Sequence, residues 1–453
     1  MNFKKYLFLA ACSTLSYNLL AQSSGQNYTI SPYSNFGLGE VLNTNLAQAG
    51  YLSQTYTGAY SYSFLNPATL GNLKYTSLDF GLNARYGVIE TQGQSRSFQG
   101  GSLSYLSLAF KTMRRYIPQF SDSAGTKKRT GTFPISWNSY FSIYPSTSVG
   151  YNYTVENTTP FLTRVSHSGK GGVNTVEFGN AFGFGKHINV GYSGAFLIGQ
   201  ITDRSLVSAP DSADLYIIDD DRTANIRGYK HQVGVMLRLG SDSAKHTFGA
   251  SYRFYSGVKA SNQRLTQVFG LTATGYTQPD TVLNIEGSYQ KISMPAGFGF
   301  GYNFSFRNKI AIGLDYYREN WANYTSYFQS SQKLANRSDY GLSFTLNPLD
   351  EKPNKSKKMP LPVRFGLRYS QTQNVFTKSG SNVNITENAA YFGFGLPITR
   401  RYFDNTVIRS MLNVRFDYVN RGTLNSGLAK EQYLITTLSF NLGDVWFQRR
   451  KFD

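Results

Sequence analysis

Residues Met294–Trp321 read MPAGFGFGYNFSFRNKIAIGLDYYRENW. On the first arm Phe298, Phe300, Tyr302, Phe304 and Phe306 share one face, while Gly297, Gly299, Gly301, Asn303 and Ser305 share the other. After Arg307-Asn308 the alternation resumes, with Ile310, Ile312, Leu314 and Tyr316 set against Lys309, Ala311, Gly313 and Asp315. Period-two alternation on both sides of a short polar turn predicts an antiparallel hairpin. Bulky aromatics on one face suit lipid, and glycine with small polar groups on the other suits a wet lumen. A soluble sandwich also alternates, so the hairpin alone leaves both architectures open.

The rest of the 453-residue chain decides between them. It holds 34 Tyr, 33 Phe and 43 Gly against 3 Trp, the stock of residues that such two-faced strands consume. No run of about 20 apolar residues occurs after the N-terminus, so no helix is expected to span a membrane; barrels escape that test. From Tyr75 onward alternating runs recur, beginning with Leu78, Phe80, Leu82 and Tyr86 opposite Asp79, Asn83 and Arg85. A dry core would make Asp79 and Arg85 costly, whereas a hydrated lumen accepts them. Fourteen such runs can be read, including 101–112, 137–154, 173–185, 187–203 and 283–306. The expected fold class is all-β: a transmembrane antiparallel β-barrel of about fourteen strands, with both ends on the periplasmic side. Residues 22–74 are dense in Pro and Gly and do not alternate. They read as an N-terminal hatch or plug, with a short helix near Asn43–Gly50, and the barrel proper as 75–453. Loop lengths fit this topology except at 113–136 and 348–360, which are long yet fall on the periplasmic side.

The chain begins as an exported protein does. Lys4-Lys5 precede the apolar run Tyr6–Ala11, and Leu19-Leu20-Ala21 offers a cleavage site, giving a signal peptide over 1–21. The rival lipobox form, Leu9-Ala10-Ala11-Cys12, leaves too short an apolar region. Cleavage after Ala21 removes the single cysteine and with it any disulfide or thiolate site. The expected location is the outer membrane of a Gram-negative cell, in contact with its lipids. Net charge is +19, but the basic residues form short separate clusters and the chain is exported, so nucleic acid is not an expected partner. Arg114-Arg115, Lys127-Lys128-Arg129, Lys355 with Lys357-Lys358, Arg400-Arg401 and Arg449-Arg450-Lys451 all fall on the periplasmic side. They fit two roles: anchoring to inner-leaflet headgroups, or docking other outer-membrane or periplasmic proteins through basic turns. Asp219-Asp220-Asp221 reads as a solvated outer loop.

Asn66-Pro67-Ala68, between a loose N-terminal segment and the first long strand, resembles the FadL-like outer-membrane transport family, as does the Pro295-led glycine-aromatic hairpin. Ser31-Pro32-Tyr33-Ser34 through Gly39 and the ending Trp446–Lys451 look like the Bacteroidota branch of such barrels. The resemblance implies a fourteen-stranded barrel plugged by a hatch that passes a hydrophobic, fatty-acid-like molecule inward. No residue of a fatty-acid pocket can be matched. The chain also ends Phe452-Asp453, where many such barrels end on an aromatic residue.

Chemistry beyond transport is sparse. Four histidines, His167, His187, His231 and His246, give no Ser/His pair, there is no G-x-S-x-G, and no cluster has metal-ligand spacing. No catalytic residue, metal or cofactor is expected. Pro295, inside the run 283–306, should kink its strand and mark a candidate side opening. Asp-Ser/Thr-aliphatic tripeptides make Ser123, Ser212, Ser243 and Thr281 candidate O-glycosylation sites, given the Bacteroidota resemblance. Two functions follow: uptake of a hydrophobic small molecule, or service as a structural or accessory barrel subunit of a larger outer-membrane assembly or secretion complex.

Overall fold

The computed structural model describes residues 31–444 except 36, 43–45, 57, 59, 124–125, 159–161, 209–215, 242, 273–274, 308, 326–333, 348–360, 379–380 and 402–406. A short strand, β1 (Glu40–Val41), lies in the N-terminal segment. Seven long strands follow: β2 (Thr76–Thr91), β3 (Gln94–Ser123), β4 (Thr126–Asn157), β5 (Thr163–Phe184), β6 (Ile188–Ser208), β7 (Tyr216–Gly240) and β8 (Ala244–Thr272). Three short pieces, β9 (Gly275–Tyr276), β10 (Asp280–Glu286) and β11 (Gln290–Lys291), lead to β12 (Gly297–Phe306). The wall is completed by β13 (Ile310–Glu319), β14 (Arg337–Leu346), β15 (Val363–Lys378), β16 (Ser381–Arg401), β17 (Val407–Gly422) and β18 (Lys430–Asp444). Strands β2–β8 and β12–β18 pair in sequence, and β18 returns to β2 from Lys430↔Glu90 to Asp444↔Thr76. The result is the expected closed, fourteen-stranded antiparallel barrel.

The opening hairpin sits in this wall as read. β12 and β13 pair from Gly297↔Glu319 to Phe306↔Ile310, around a turn where Arg307 takes a positive φ of 48°. Phe300, Ile312 and Leu314 face outward and are exposed, and Ala311 and Asp315 are buried inside. The same sorting holds around the barrel. Exposed Leu78, Tyr86, Phe196, Tyr252, Leu367 and Tyr418 lie outside, while Asp79, Arg85, Lys230 and Arg415 are buried within. Outward apolar groups meet hydrocarbon, and inward polar groups find partners that lipid cannot supply.

Three expectations are corrected. The long connection 113–136 is a continuation of β3 and β4, which stay paired down to Ser123↔Thr126. Their outer neighbours stop earlier, β2 at Ala109 and β5 at Ile135, so a two-stranded ribbon projects beyond the rim that holds the short β5–β6 and β12–β13 turns. Residues 204–223 are mostly strand, and Asp219–Asp221 belong to β7. There Asp219 pairs with Arg204 at 2.5 Å and Asp220 with Arg264 at 2.7 Å, because cross-strand neighbours bring opposite charges together. The run 283–306 is three pieces, β10, β11 and β12, each paired with β8. The loop 348–360 lies outside the described residues.

The N-terminal segment fills the lumen. Its turns are short 3-10 turns, over Pro32–Asn35, Ala47–Ala49 and Pro67–Asn72, where the sequence suggested one helix near Asn43–Gly50. Asn66 caps the last turn, its Oδ1 accepting from Ala68 N at 3.0 Å, with Pro67 at the first helical position. This turn lies against the wall where glycine leaves room: a Cβ on Gly234 would come within 2.0 Å of Asn66 Oδ1. Gly234→Val is therefore expected to cost about 1–3 kcal/mol of overpacking. The check is the temperature at which the folded barrel loses its fast mobility in detergent electrophoresis; an unchanged transition would show the turn does not seat there.

Candidate functional site

The hatch is held by ionic and polar latches to most sides of the wall. Glu40 in β1 bridges Arg85 of β2 at 2.9 Å and Arg421 of β17 at 2.6 Å. Arg421 also pairs with Glu387 of β16 at 2.5 Å, and Glu387 with Arg368 of β15. Gln48 donates to Asp79 at 2.6 Å, Tyr51 to Asp417 at 2.8 Å, and Gln54 N to Asp315 at 2.8 Å. Ser31 donates to Glu431. Across the lumen, Lys230 and Glu177 form a buried pair at 2.6 Å, with Tyr140 and Tyr144 donating to the same carboxylate. Buried charges are tolerable only when paired and hydrogen-bonded in this way. Burial alone would raise the Glu40 carboxyl, but Arg421 and Arg85 outweigh it and hold it at about 2, against 4.5 when free.

The cavities beside β1 among the described residues are small and partly ionic. Two cavities beside β1 hold about 90 and 60 Å³; Arg253, Glu319, Arg337 and Asp339 line the first, and Arg85, Glu387 and Arg421 the second. The roomy apolar concavity, about 880 Å³, lies on the outer wall, where exposed Phe300, Leu314, Tyr340, Leu342, Leu367 and Tyr418 surround it.

Among the described residues the wall has one long break between consecutive barrel strands. β3 and β4 pair upward only as far as Leu106↔Ile143. Above that level β3 continues beside β2 to Gln94↔Thr91, and β4 beside β5 to Asn157↔Thr163, without each other. The break begins just below Pro145, which has no N–H to give, and the β4–β5 register shifts between Pro145 and Thr147. Gly172 of β5, at φ +150°, makes room for the bend, since a Cβ there would lie 2.3 Å from Thr147 O. The hatch takes the place of β3 along β4: Glu40↔Ser148 and Val41↔Thr147 pair, Leu42 N donates to Ser146 O at 3.0 Å, and Ser31 N donates to Gly150 O at 2.7 Å.

Pro295, the residue that the sequence marked for a side opening, lies in the unpaired stretch between β11 and β12, where β8 remains the neighbour on both sides. The seam that separates two barrel strands is instead at Pro145. Its signal was present: Tyr144-Pro145 interrupts the run 137–154, and Gly169, Gly171 and Gly172 stand opposite. Asn66, Pro67 and Ala68 converge on the wall as described. Ser243 lies in the exposed turn between β7 and β8, Thr281 in exposed β10 towards the opposite end of the barrel, and Ser123 at the end of β3; Ser212 lies outside the described residues. His167 lies in β5, with Nδ1 2.9 Å from Ser205 Oγ. His231 lies on the outer wall between Tyr192 OH and Ser256 Oγ, each at 2.8 Å, and joins three strands there.

The family model described as BamG matches residues 3–117 and 131–453. Among solved structures, a P. putida toluene transporter, TodX, aligns at a TM-score of 0.54 with 13% identity, covering 90% of this chain and 100% of that one. The CymD monoaromatic hydrocarbon channel aligns at 0.52 and 13%, covering 94% and 100%. The Ralstonia pickettii toluene transporter TbuX aligns at 0.50 and 12%, covering 83% and 91%. These are FadL-family transporters, and at such identities the likeness shows a shared fold. Comparison of the sequence with curated proteins finds no match.

Glu40 gives a direct test of the latch. A carboxyl held below its free value stabilises above about pH 4.5, and that stabilisation is lost as pH falls toward 2. Glu40→Gln leaves Arg85 and Arg421 facing a neutral group and is expected to cost about 3–5 kcal/mol at neutral pH. Added protease should cut the hatch faster in the variant at pH 7, and acid should loosen the wild-type hatch with little further effect on the variant. Equal cutting of the two proteins at pH 7 would remove Glu40 from the latch.

Proposed function

The chain belongs to the BamG family, and on that premise we propose that it serves as a barrel subunit of a larger outer-membrane assembly. The observation that carries this reading is the lumen. Binding sites for small apolar ligands are mostly apolar and occupy roughly 300–1,000 Å³. Here, among the described residues, the two cavities beside the plug hold about 90 and 60 Å³, and guanidinium and carboxylate groups share their lining with apolar side chains such as Leu42. A barrel sealed by ion pairs makes a rigid scaffold. The projecting β3–β4 ribbon supplies a point of attachment, since Arg114, Arg115, Lys127, Lys128 and Arg129 lie along it against Asp122 as its one acid. An acidic periplasmic protein surface is the complement of such a ribbon. The tip, residues 118–130, falls where the family model has no match, so attachment through it is a property of this chain.

The second reading is uptake of a hydrophobic molecule, fatty-acid-like or otherwise. It is supported by the barrel fold of the monoaromatic hydrocarbon channels and by the seam at Pro145, which offers a sideways route. That route requires the hatch to move, because β1 occupies the β4 edge.

Purification from native membranes in mild detergent separates the readings. Stoichiometric co-purification with other outer-membrane or periplasmic proteins is expected, and reversal of Lys127, Lys128 and Arg129 to Glu should weaken it, as should added salt. Recovery of a lone barrel carrying a bound apolar molecule would overturn the subunit reading in favour of uptake.

A further inference from the structure

At the seam the two freed edges are treated differently. The β4 edge is taken by the hatch from Ser146 to Gly150. The β3 edge over Ser95–Tyr105 has β2 on one side and, among the described residues, no strand on the other. In an antiparallel strand about half of the backbone N–H and C=O groups point to each side, so among the described residues the gap-facing set along this edge has no ladder partner.

The depth of the edge makes this matter. Leu103 is exposed and pairs beside Leu82, in the outward row Leu78, Phe80, Leu82 and Tyr86 that marks the apolar band of β2. Open sheet edges do not persist against hydrocarbon, because lipid tails carry neither donor nor acceptor. The hatch comes close without closing the edge: Glu40, Val41 and Leu42 share a small cavity with Ser102 and Ser104, but the backbone bonds of β1 go to β4. What satisfies such an edge is another extended backbone, with the same repeat of about 3.3 Å per residue.

We propose that the β3 edge, Ser95–Tyr105, accepts an amphipathic strand from another outer-membrane polypeptide. Of the eleven residues of this edge, Gln99–Tyr105 pair with the apolar band of β2, and Ser95–Phe98 continue beyond it beside Gly87–Glu90. The incoming strand extends the β2–β3 ladder antiparallel to β3. Its alternate residues are apolar, where they lie beside Leu103 against lipid, and small or polar, where they face Glu40 and Arg85 in the lumen. The proposal rests on the subunit reading only in requiring a polypeptide partner. It places that partner in the wall, away from the periplasmic ribbon.

The test places a photo-crosslinking amino acid at Ser102 or Leu103 in the full-length protein in living cells, with Phe196 as control. Phe196 is also lipid-facing, but β6 is paired on both edges. Adducts with another outer-membrane polypeptide at Ser102 and Leu103 but not at Phe196, mapping to an alternating segment, are expected. Adducts only with lipid, only with residues 22–30 of the same chain, or equal at all three positions overturn the proposal. Hydrogen exchange gives a second reading: the β3 amides over 95–105 should exchange faster than those of β6 in the isolated barrel and gain protection in native membranes. Equal protection of β3 and β6 in the isolated barrel overturns it as well. If partners co-purify through the ribbon while the seam traps none, the strand proposal falls and the subunit reading stands.

Discussion

Every backbone N–H and C=O that lies at membrane depth has to find a partner within protein, and most of this structure answers to that constraint. It explains why the chain closes on itself through β18 and β2, with a ladder of fifteen residue pairs from Lys430↔Glu90 to Asp444↔Thr76. It also explains what becomes of the place where the wall fails. Pro145 cannot donate, β4 bends, and the hatch supplies the missing pairings through Leu42 N and Ser31 N. The N-terminal segment is therefore part of the wall as well as its plug.

The lumen follows from the same rule applied to side chains. Alternation turns every second residue inward, and in this chain many of those are charged. Arg85, Arg253, Arg337, Arg368, Arg415 and Arg421 face Glu40, Glu319, Asp339, Glu387 and Asp417 across a space from which β1 and the turns exclude most water. Desolvation makes each such charge expensive alone and favours networks in which each guanidinium has a carboxylate. Glu40 shows the balance: burial pushes its carboxyl up, and two arginines more than reverse that. Removal of one member strands the rest: Glu40, Arg85, Arg421, Glu387 and Arg368 couple the hatch to β2, β15, β16 and β17 through five side chains.

How much of this was legible depends on which signal carried it. Period-two alternation is a local property, and it led to the barrel, the strand number and the inward placement of Asp79 and Arg85. The hatch was legible only as a failure to alternate, because 3-10 turns such as Pro67–Asn72 have no long period to read. Length alone misled at 113–136: Lys127-Lys128-Arg129 looked like loop, but cross-strand pairing to Ser121, Asp122 and Phe120 continues through it. Proline was read at one place and missed at another. Above Pro295 the short pieces β10 and β11 keep β8 as a neighbour, and above Pro145 β4 loses β3 while keeping β5. Telling them apart requires knowing which strands are adjacent, and that is a property of the closed barrel.

The contrast between the two faces of the wall bears on function. Its large apolar concavity is on the outside, and its interior cavities are small and charged. A conduit for apolar molecules calls for the opposite arrangement, unless the hatch moves far enough to break the latches at Glu40, Tyr51 and Asp315 together. Each latch is a buried polar or ionic contact, and the separate losses would have to be met by whatever enters. A scaffold needs no such rearrangement. In the role proposed above, rigidity would come from the ion pairs that obstruct passage, and contacts with other proteins would fall where the barrel departs from a plain cylinder: the projecting ribbon and the β3 edge.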